Sequence, residues 1–239
     1  MKAGMKIVKL YKVISSDEAI LYDVKFIRKV LITYNNYVSA TWLNESVCNI
    51  EINYSNRKWK TINGFLQFLS QRNKEIVFLI ANSKTQKTSL IYSNDLLNQI
   101  KPDDYGLIEL IMVADTQNME NLYLWIKSTC DFFNFDYGYC FDLQKNQDLF
   151  SEIIEKKSFF TFLFSVTQRV TSEQIESEKK RQEFLLKVKQ GFIPRFYKIN
   201  IWNNQQLERA MKENLVIDKM IKLNDNLNIV EISDITNIR

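Results

Sequence analysis

The chain has 239 residues, a formal net charge of +4 and no histidine. Because histidine is the usual general base near neutral pH and the commonest metal ligand, its absence excludes Ser-His-Asp and Cys-His catalytic groups and every histidine-containing zinc site. A hydrophobic fraction of 46% excludes an intrinsically disordered chain, and the small numbers of Gly and Pro, 5 and 2, argue against a Gly/Pro-rich β-sandwich or a repeat array.

The cysteines and the apolar runs indicate where the protein resides. Cys48, Cys130 and Cys140 are an odd number without a Cys-x-x-Cys spacing, which predicts reduced, mostly buried thiols rather than a disulfide framework. The basic N-terminus is not followed by the apolar core of about 7–15 residues that a signal peptide needs. The longest apolar runs, at residues 76–81 and 110–114, are far too short to cross a bilayer. We therefore expect a cytoplasmic protein that does not bind a membrane.

Hydrophobic periodicity predicts a strand-rich first half of the chain. Thr61 is expected to begin a short helix, because apolar residues follow it at the i, i+3, i+4 and i+7 spacing of a one-sided stripe. The segment at residues 17–34 mixes helical and strand signals and is left unassigned. In chain order, the other predicted elements are strands at residues 5–14, 49–54, 75–81 and 88–92, the last two as a hairpin, and a short helix over residues 96–100 capped by Ser93-Asn94.

The second half is predicted to alternate strands with helices. The most clearly amphipathic helix is expected over residues 117–134 with Asp115-Thr116 as its N-cap. A solvated helix is expected to begin at Thr171 and to stop before Gly191 and Pro194. The other predicted elements are strands at residues 106–114 and 137–141, a helical and then extended segment at 147–166, a strand at 192–202, a helix at 204–214 and a final strand at 227–233.

These elements predict an α+β fold with one mixed β-sheet flanked by helices. The strands at 75–81 and 106–114 are expected at its centre, since their near-continuous apolar runs require burial on both faces, and the helix at 117–134 is expected to cover them. Strand, helix and strand over residues 106–141 form a βαβ-like or split βαβ unit. We expect a main body at residues 1–170, and a solvated linker helix with a C-terminal strand-helix-strand piece at 171–239 that packs on it as one compact unit.

The charge is distributed unevenly along the chain. Residues 103–155 contain eleven acids and two bases, a net charge of −9, which leaves +13 for the rest. One interpretation is internal complementation, in which these acids pair with basic residues elsewhere in the fold. The other is an acidic face presented to a basic partner, with interleaved aromatic residues as anchors. In that case the partner-binding residues, expected to lie exposed on a common side, are Asp131, Asp136, Tyr137, Tyr139, Asp142 and Asp148.

No catalytic or ligand-binding motif in the sequence is complete. The aspartates between residues 131 and 142 lack the Asp-x-Asp-x-Asp-Gly loop of a calcium site. Pro102-Asp103 lacks the nearby Glu-x-Lys of a restriction-type nuclease, and no glycine-rich phosphate-binding loop occurs. The basic residues around Trp59 are interpreted as a solvated strand end rather than a nucleic-acid surface. We therefore expect no catalytic residue, no cofactor and no metal.

Two stretches resemble segments of bacterial immunity proteins, which accompany polymorphic toxins and type VI secretion effectors. The first is Asp-Tyr-Gly-Tyr at residues 136–139, directly after a predicted helix. The second, residues 191–207, has Gly, then Arg and an aromatic residue, a strand that ends in Asn, and a polar stretch that opens a helix with Leu207. In the family pattern the residue before this Leu is often His, where this chain has Gln206.

The resemblance implies an α+β, cytoplasmic, non-enzymatic protein whose partner is a cognate protein toxin. Such a protein neutralises the toxin by covering its active site with an interface of standard size, roughly 1,600 Å². Two other classes stay open at this point: an enzyme that uses carboxylate chemistry without a recognisable motif, and a structural or adaptor subunit of a secretion or phage-like assembly.

Overall fold

The computed structural model describes residues 5–15, 24–52, 55–71, 76–94, 105–115, 118–142 and 172–233. The helices in these ranges are α1 (Val24–Thr41), α2 (Ile62–Ser70), α3 (Met119–Phe132), α4 (Ser172–Lys189) and α5 (Asn204–Lys212). The strands are β1 (Met5–Ile14), β2 (Val47–Ile52), β3 (Ser55–Trp59), β4 (Phe78–Ser83), β5 (Thr88–Asn94), β6 (Gly106–Asp115), β7 (Tyr137–Asp142), β8 (Ile199–Asn203), β9 (Lys219–Lys222) and β10 (Leu227–Glu231).

The ten strands form one sheet in the order β3-β2-β4-β5-β6-β1-β7-β8-β10-β9. The α+β class is confirmed, but the pairs between these strands are antiparallel throughout, so the expected mixture of parallel and antiparallel pairs was wrong. The reason is the place of β1, which inserts between β6 and β7 and runs antiparallel to both. The strand-helix-strand unit β6-α3-β7 is therefore the split form of a βαβ unit.

Alternation along each strand gives the sheet two buried faces. On β1, the even residues Val8 and Leu10 point to the first face, where helices α1, α2 and α3 cover the sheet. One apolar cluster on this face extends from Trp59 on β3 to Ile229 on β10. On the second face, Val13 packs with side chains of α4 and α5. Because the side chains of a strand point to alternate sides, β1 has buried residues on both faces of the sheet, six of its ten in all.

The central strands agree with the sequence prediction in part. The strand predicted at 106–114 is β6, which lies beside β1 at the middle of the sheet, as expected. The strand predicted at 75–81 begins later, as β4, and is third from the edge, with neighbours on both sides. Its hairpin with β5 is confirmed. Helix α3 packs against α1 over the first face. Because α1 spans Val24–Thr41, residues 24–34 of the segment left unassigned by the sequence pattern are helical.

Several boundaries differ from the prediction because side-chain hydrogen bonds set them. Asp115 is the last residue of β6, and the N-cap of α3 is Asn118, whose side chain accepts a hydrogen bond from the Asn121 N–H. Ser93 and Asn94 are the last two residues of β5, and the helix that they are predicted to cap lies outside the described residues. The remaining predictions, for residues 96–100, 147–166 and the cap at Thr171, lie outside the described residues.

The C-terminal part contributes three strands to the same sheet. The predicted strand at 192–202 is shorter, since β8 begins only at Ile199, and the final strand at 227–233 is β10. Strand β9, at the sheet edge, was not predicted. The helix α4 is not solvated all round, because Leu185 and Val188 are buried against the second face. Within the described ranges, no helix is both long and apolar enough to span a membrane.

Candidate functional site: an aromatic cleft on the second face

The two segments that resemble immunity proteins become neighbours in the fold. The first contains the start of β7 and the second contains β8, and these strands pair with Tyr137 opposite Trp202 and Tyr139 opposite Asn200. Gly138 lies between the two tyrosines, where a Cβ atom would come within 2.7 Å of the Lys9 carbonyl oxygen on β1. The glycine therefore allows close approach of β1 and β7 and places their tyrosines side by side.

The segment at 191–207 is fixed by local hydrogen bonds at both ends. Gly191 ends α4 with φ of +85°, and the next N–H, from Phe192, donates to the Lys187 carbonyl, as in a Schellman motif. At the other end Asn203 caps α5, and Gln206 completes a capping box by accepting from the Asn203 N–H. The Gln206 side chain also donates to the Phe192 carbonyl, which closes the segment on itself.

Between these ends, the buried Asn200 side chain shapes the chain that precedes β8. Its amide donates to the Tyr197 carbonyl, and its oxygen accepts from the Tyr197 N–H at 2.9 Å. This pair of bonds closes a turn at the start of β8. The residues before the turn lie over β7, where Arg195 contacts Tyr137 and Tyr197 contacts Tyr139.

The turned segment encloses a cleft of about 320 Å³ between α4 and the second face of the sheet. Its walls are mostly apolar and aromatic, and they come from β1, β6, β7, α4 and the segment before β8. The lining residues are Tyr11, Val13, Leu107, Tyr137, Tyr139, Phe184, Leu185, Val188, Pro194, Arg195 and Tyr197. A cleft of this volume is at the lower end of the range for small-molecule pockets and has room for a single ring system.

Tyrosine rings form the floor and one wall of the cleft. The rings of Tyr139 and Tyr197 are stacked with centroids 3.9 Å apart and an angle of 9° between their planes. The hydroxyl oxygens of Tyr139 and Tyr11 are 3.1 Å apart, and Tyr11 also forms a hydrogen bond with the buried Glu109. Burial raises the pKa of Tyr139 well above its ordinary value of 10.0, and the same cause raises the pKa of Tyr11 and Tyr137. These hydroxyls therefore stay protonated at neutral pH.

Among the described residues that line the cleft, Arg195 is the one cation, and it is held from two sides. Its carbonyl oxygen accepts a hydrogen bond from the Tyr137 hydroxyl. Its guanidinium donates to the Tyr197 hydroxyl at 3.1 Å and lies 6.0 Å from the centroid of that ring. The side chain itself is exposed. The tyrosines thus place a guanidinium at the mouth of an apolar cleft.

The residues predicted to bind a partner do not share one exposed face. Tyr137 and Tyr139 are buried, 3% and 9% exposed, and line the cleft. Asp131 is exposed at the end of α3, on the other side of the sheet, and Asp142 is exposed at the far end of β7. Asp136 is mostly buried at the start of β7. The sixth predicted residue, Asp148, lies outside the described residues.

The described aspartates of this set pair with lysines of the same chain. Asp136 accepts from the Lys12 ammonium at 3.1 Å and from the Val13 N–H at 2.7 Å, and burial raises the pKa of its carboxyl group. Asp142 pairs with Lys6, its partner across the β1–β7 ladder. The third, Asp131, pairs with Lys127 in the same helix. The pairs of Asp136 and Asp142 with lysines of β1 agree with the internal-complementation interpretation of the acidic segment, whereas the partner of Asp131 lies within that segment. A role of these residues in partner binding stays a prediction.

Several cleft residues were not predicted from the sequence. Arg195 and Tyr197 lie inside the segment that resembles immunity proteins, but the sequence predicts a strand over residues 192–202, in which alternate side chains point to opposite faces of the sheet. Leu185 and Val188 show the i, i+3 spacing of a buried helix stripe, a signal hidden by the charged residues that precede them in α4. Tyr11 belongs to the odd positions of β1, which point to the second face with Val13.

Neither a metal-binding group in the described residues nor similarity to known proteins identifies a function for the cleft. Among the residues that the structure describes, no group of three or more Cys, Asp or Glu side chains could hold a metal ion. No known protein family matches the chain, and no curated protein matches its sequence.

Proposed function

We propose that this chain is a non-enzymatic immunity protein that binds a cognate interbacterial toxin in the cytoplasm and blocks it. The observation that supports this proposal is the meeting of the two resembling segments, 136–139 and 191–207. They are far apart in the sequence, yet they pair as β7 and β8 and line the same cleft. A resemblance confined to two segments that together build one site is more informative than the same number of scattered matches.

The cleft has the features of an interface anchor pocket. Binding energy at protein interfaces is concentrated in a few aromatic and arginine residues around well-packed pockets, with the surrounding contacts excluding water. The tyrosines and Arg195 supply those residue types here, on a floor fixed by the central strands β1 and β7. Inhibition would follow from covering the toxin's active site with a surface of roughly 1,600 Å² around this pocket.

The proposal is tested by expressing the chain with the toxin domain encoded beside its gene. We expect the chain to restore colony formation to bacteria that produce this toxin, and to form a complex with it on size-exclusion chromatography. An unrelated toxin domain is the control and should stay lethal. Death of the co-expressing cells despite soluble chain, with no complex, would refute the proposal in favour of the enzyme or adaptor alternatives.

A further inference from the structure

Resting on the proposed function, we propose that the cleft receives the indole ring of a toxin tryptophan, whose N–H donates a hydrogen bond to the hydroxyl oxygen of Tyr139. Two properties of the cleft specify this occupant. The hydroxyl groups of its tyrosines direct their protons into the fold and leave oxygen acceptors at the cleft. The rest of the wall is mostly apolar and aromatic.

The direction of these hydroxyl groups is set by a buried carboxylate. Glu109 on β6 lies directly opposite Tyr11 on β1 in the strand ladder, and the two side chains form a hydrogen bond on the second face. Because a carboxylate accepts hydrogen bonds and has no proton to give, Tyr11 is the donor. In its contact with Tyr139, where the two oxygens are 3.1 Å apart, Tyr11 must therefore accept, and Tyr139 is the donor.

The other two cleft tyrosines also use their protons within the fold. The hydroxyl of Tyr137 donates to the Arg195 carbonyl oxygen. The hydroxyl of Tyr197 bonds with that of Tyr139, and since the Tyr139 proton is directed at Tyr11, Tyr197 is the donor of this bond. A hydroxyl oxygen has two lone pairs, and among the described residues Tyr197 occupies one of them at Tyr139. The other lone pair is available to accept from an occupant of the cleft.

An indole ring matches both the walls and the acceptor. Leu107, Leu185 and Val188 supply aliphatic surface on one side, and the rings of Tyr139 and Tyr197 supply aromatic surface on the other, where a further ring can pair in an offset or edge-to-face arrangement. The indole N–H is a donor only, so it brings no acceptor that would lose its hydration in the cleft, as the oxygen of a phenol would. Tryptophan is also a residue type in which binding energy is concentrated at protein interfaces.

A pair of isomeric probes tests the hydrogen bond by itself. 3-Methylindole is the tryptophan side chain with its N–H, and in N-methylindole the methyl group replaces that proton. Because the two compounds are isomers of nearly equal size and apolar surface, ligand-observed NMR on the full chain compares them directly. We expect 3-methylindole to bind weakly, in the millimolar range, and about two- to tenfold more tightly than N-methylindole, the effect of one hydrogen bond.

Tyr139→Phe removes the acceptor and keeps the ring, so both isomers should bind this variant equally. The matched control is Tyr34→Phe, because Tyr34 is also buried and its hydroxyl also bonds to another hydroxyl, that of Thr88, but on the first face. This control should keep the preference for 3-methylindole. Survival of the preference in folded Tyr139→Phe, or its loss in Tyr34→Phe, would overturn the inference.

The wild type alone also decides, whatever the stability of the variants. Equal binding of the two isomers, or no binding of either, would overturn the inference. Micromolar binding of 3-methylindole would overturn it as well, since the cleft would then serve a small molecule instead of a toxin side chain.

The complex with the toxin domain provides the second test. Each tryptophan of the toxin is replaced by alanine in turn, with retained toxicity as the evidence that the variant folds. We expect one of these variants to bind the chain at least about tenfold more weakly, as at an interface hot spot, and to bind the wild type and Tyr139→Phe equally. Unchanged affinity of every toxin variant would refute the inference alone, whereas absence of a complex between the two wild-type proteins would refute the proposed function.

Discussion

Tyr139 shows how a single residue serves both the core and the cleft. Its ring stacks on Tyr197, its hydroxyl lies 3.1 Å from that of Tyr11, and it is 9% exposed. Because the ionised phenol would lose its hydration in this position, burial raises its pKa well above 10.0. A group that holds its proton more tightly in the folded state makes stability depend on pH.

The direction of this dependence follows from proton binding. Above about pH 10 the unfolded chain releases the tyrosine proton while the folded chain retains it, so stability is complete below that pH and is lost as the pH rises. Tyr139→Phe removes this contribution together with the hydroxyl's hydrogen bonds. We expect the variant to be less stable than the wild type by about 0.5–1.5 kcal/mol near neutral pH. This difference in the free energy of unfolding should become smaller above about pH 10, where the wild type loses the Tyr139 contribution.

Urea unfolding of the wild type and Tyr139→Phe across this pH range tests the prediction. Absorbance of phenolate at 295 nm provides an independent readout, since fewer tyrosines should titrate in the folded protein than in urea. A stability gap that stays constant into the alkaline range would show that the Tyr139 hydroxyl ionises as freely in the fold as in the unfolded chain.

The elements that were predicted correctly are those whose own sequence pattern decides them. Helix α2 begins after Thr61 as expected, because its side chain caps the helix and the buried Phe65 and Leu69 lie on one face. Strands β3 and β9 were not predicted as separate strands. Both are short edge strands with two basic residues each, and their pairing depends on the adjacent strand. The cleft was not predictable either, because it joins β1 to residues far along the chain.

At the scale of the elements, Gly138 controls how closely β7 approaches β1. A Cβ atom there would lie 2.7 Å from the Lys9 carbonyl oxygen and 2.8 Å from a methyl carbon of Leu10, and backbone cannot move aside as a flexible side chain can. We expect Gly138→Ala to lower the free energy of unfolding by about 1–3 kcal/mol, the usual cost of overpacking. Chemical denaturation measures this change directly.

Gly64→Ala is the matched control for the glycine prediction. Gly64 lies in helix α2, where a Cβ would meet only the Thr61 hydroxyl oxygen, at 3.2 Å. Since alanine is favoured over glycine in helices by up to about 1 kcal/mol, this variant should stay within that margin of the wild type. Equal stability of the two variants would contradict the close approach of β1 and β7.

At the scale of the whole molecule, the sheet is continuous from β3 to β9. The two edges are joined by an unbroken ladder, and one apolar cluster on the first face reaches from Trp59 to Ile229. The C-terminal residues 172–233 therefore contribute strands to the same sheet as the body, and α4 packs back on β1. Because removal of either part would expose the inner strands of the other, we expect the described residues to unfold as one cooperative unit.

Two tryptophans report on the two ends of this sheet. Trp59 on β3 and Trp202 on β8 are separated by seven strand spacings, about 34 Å, and both are buried. In variants that keep only one of these tryptophans, with phenylalanine at the other positions, fluorescence should give the same urea midpoint as far-UV circular dichroism of the same variant. Comparison within a variant cancels the stability lost through the substitutions. The Trp202 fluorescence midpoint could instead differ from the dichroism midpoint while the Trp59 fluorescence midpoint agrees with it. That result would show that the chain unfolds in two separate parts, divided near residue 171.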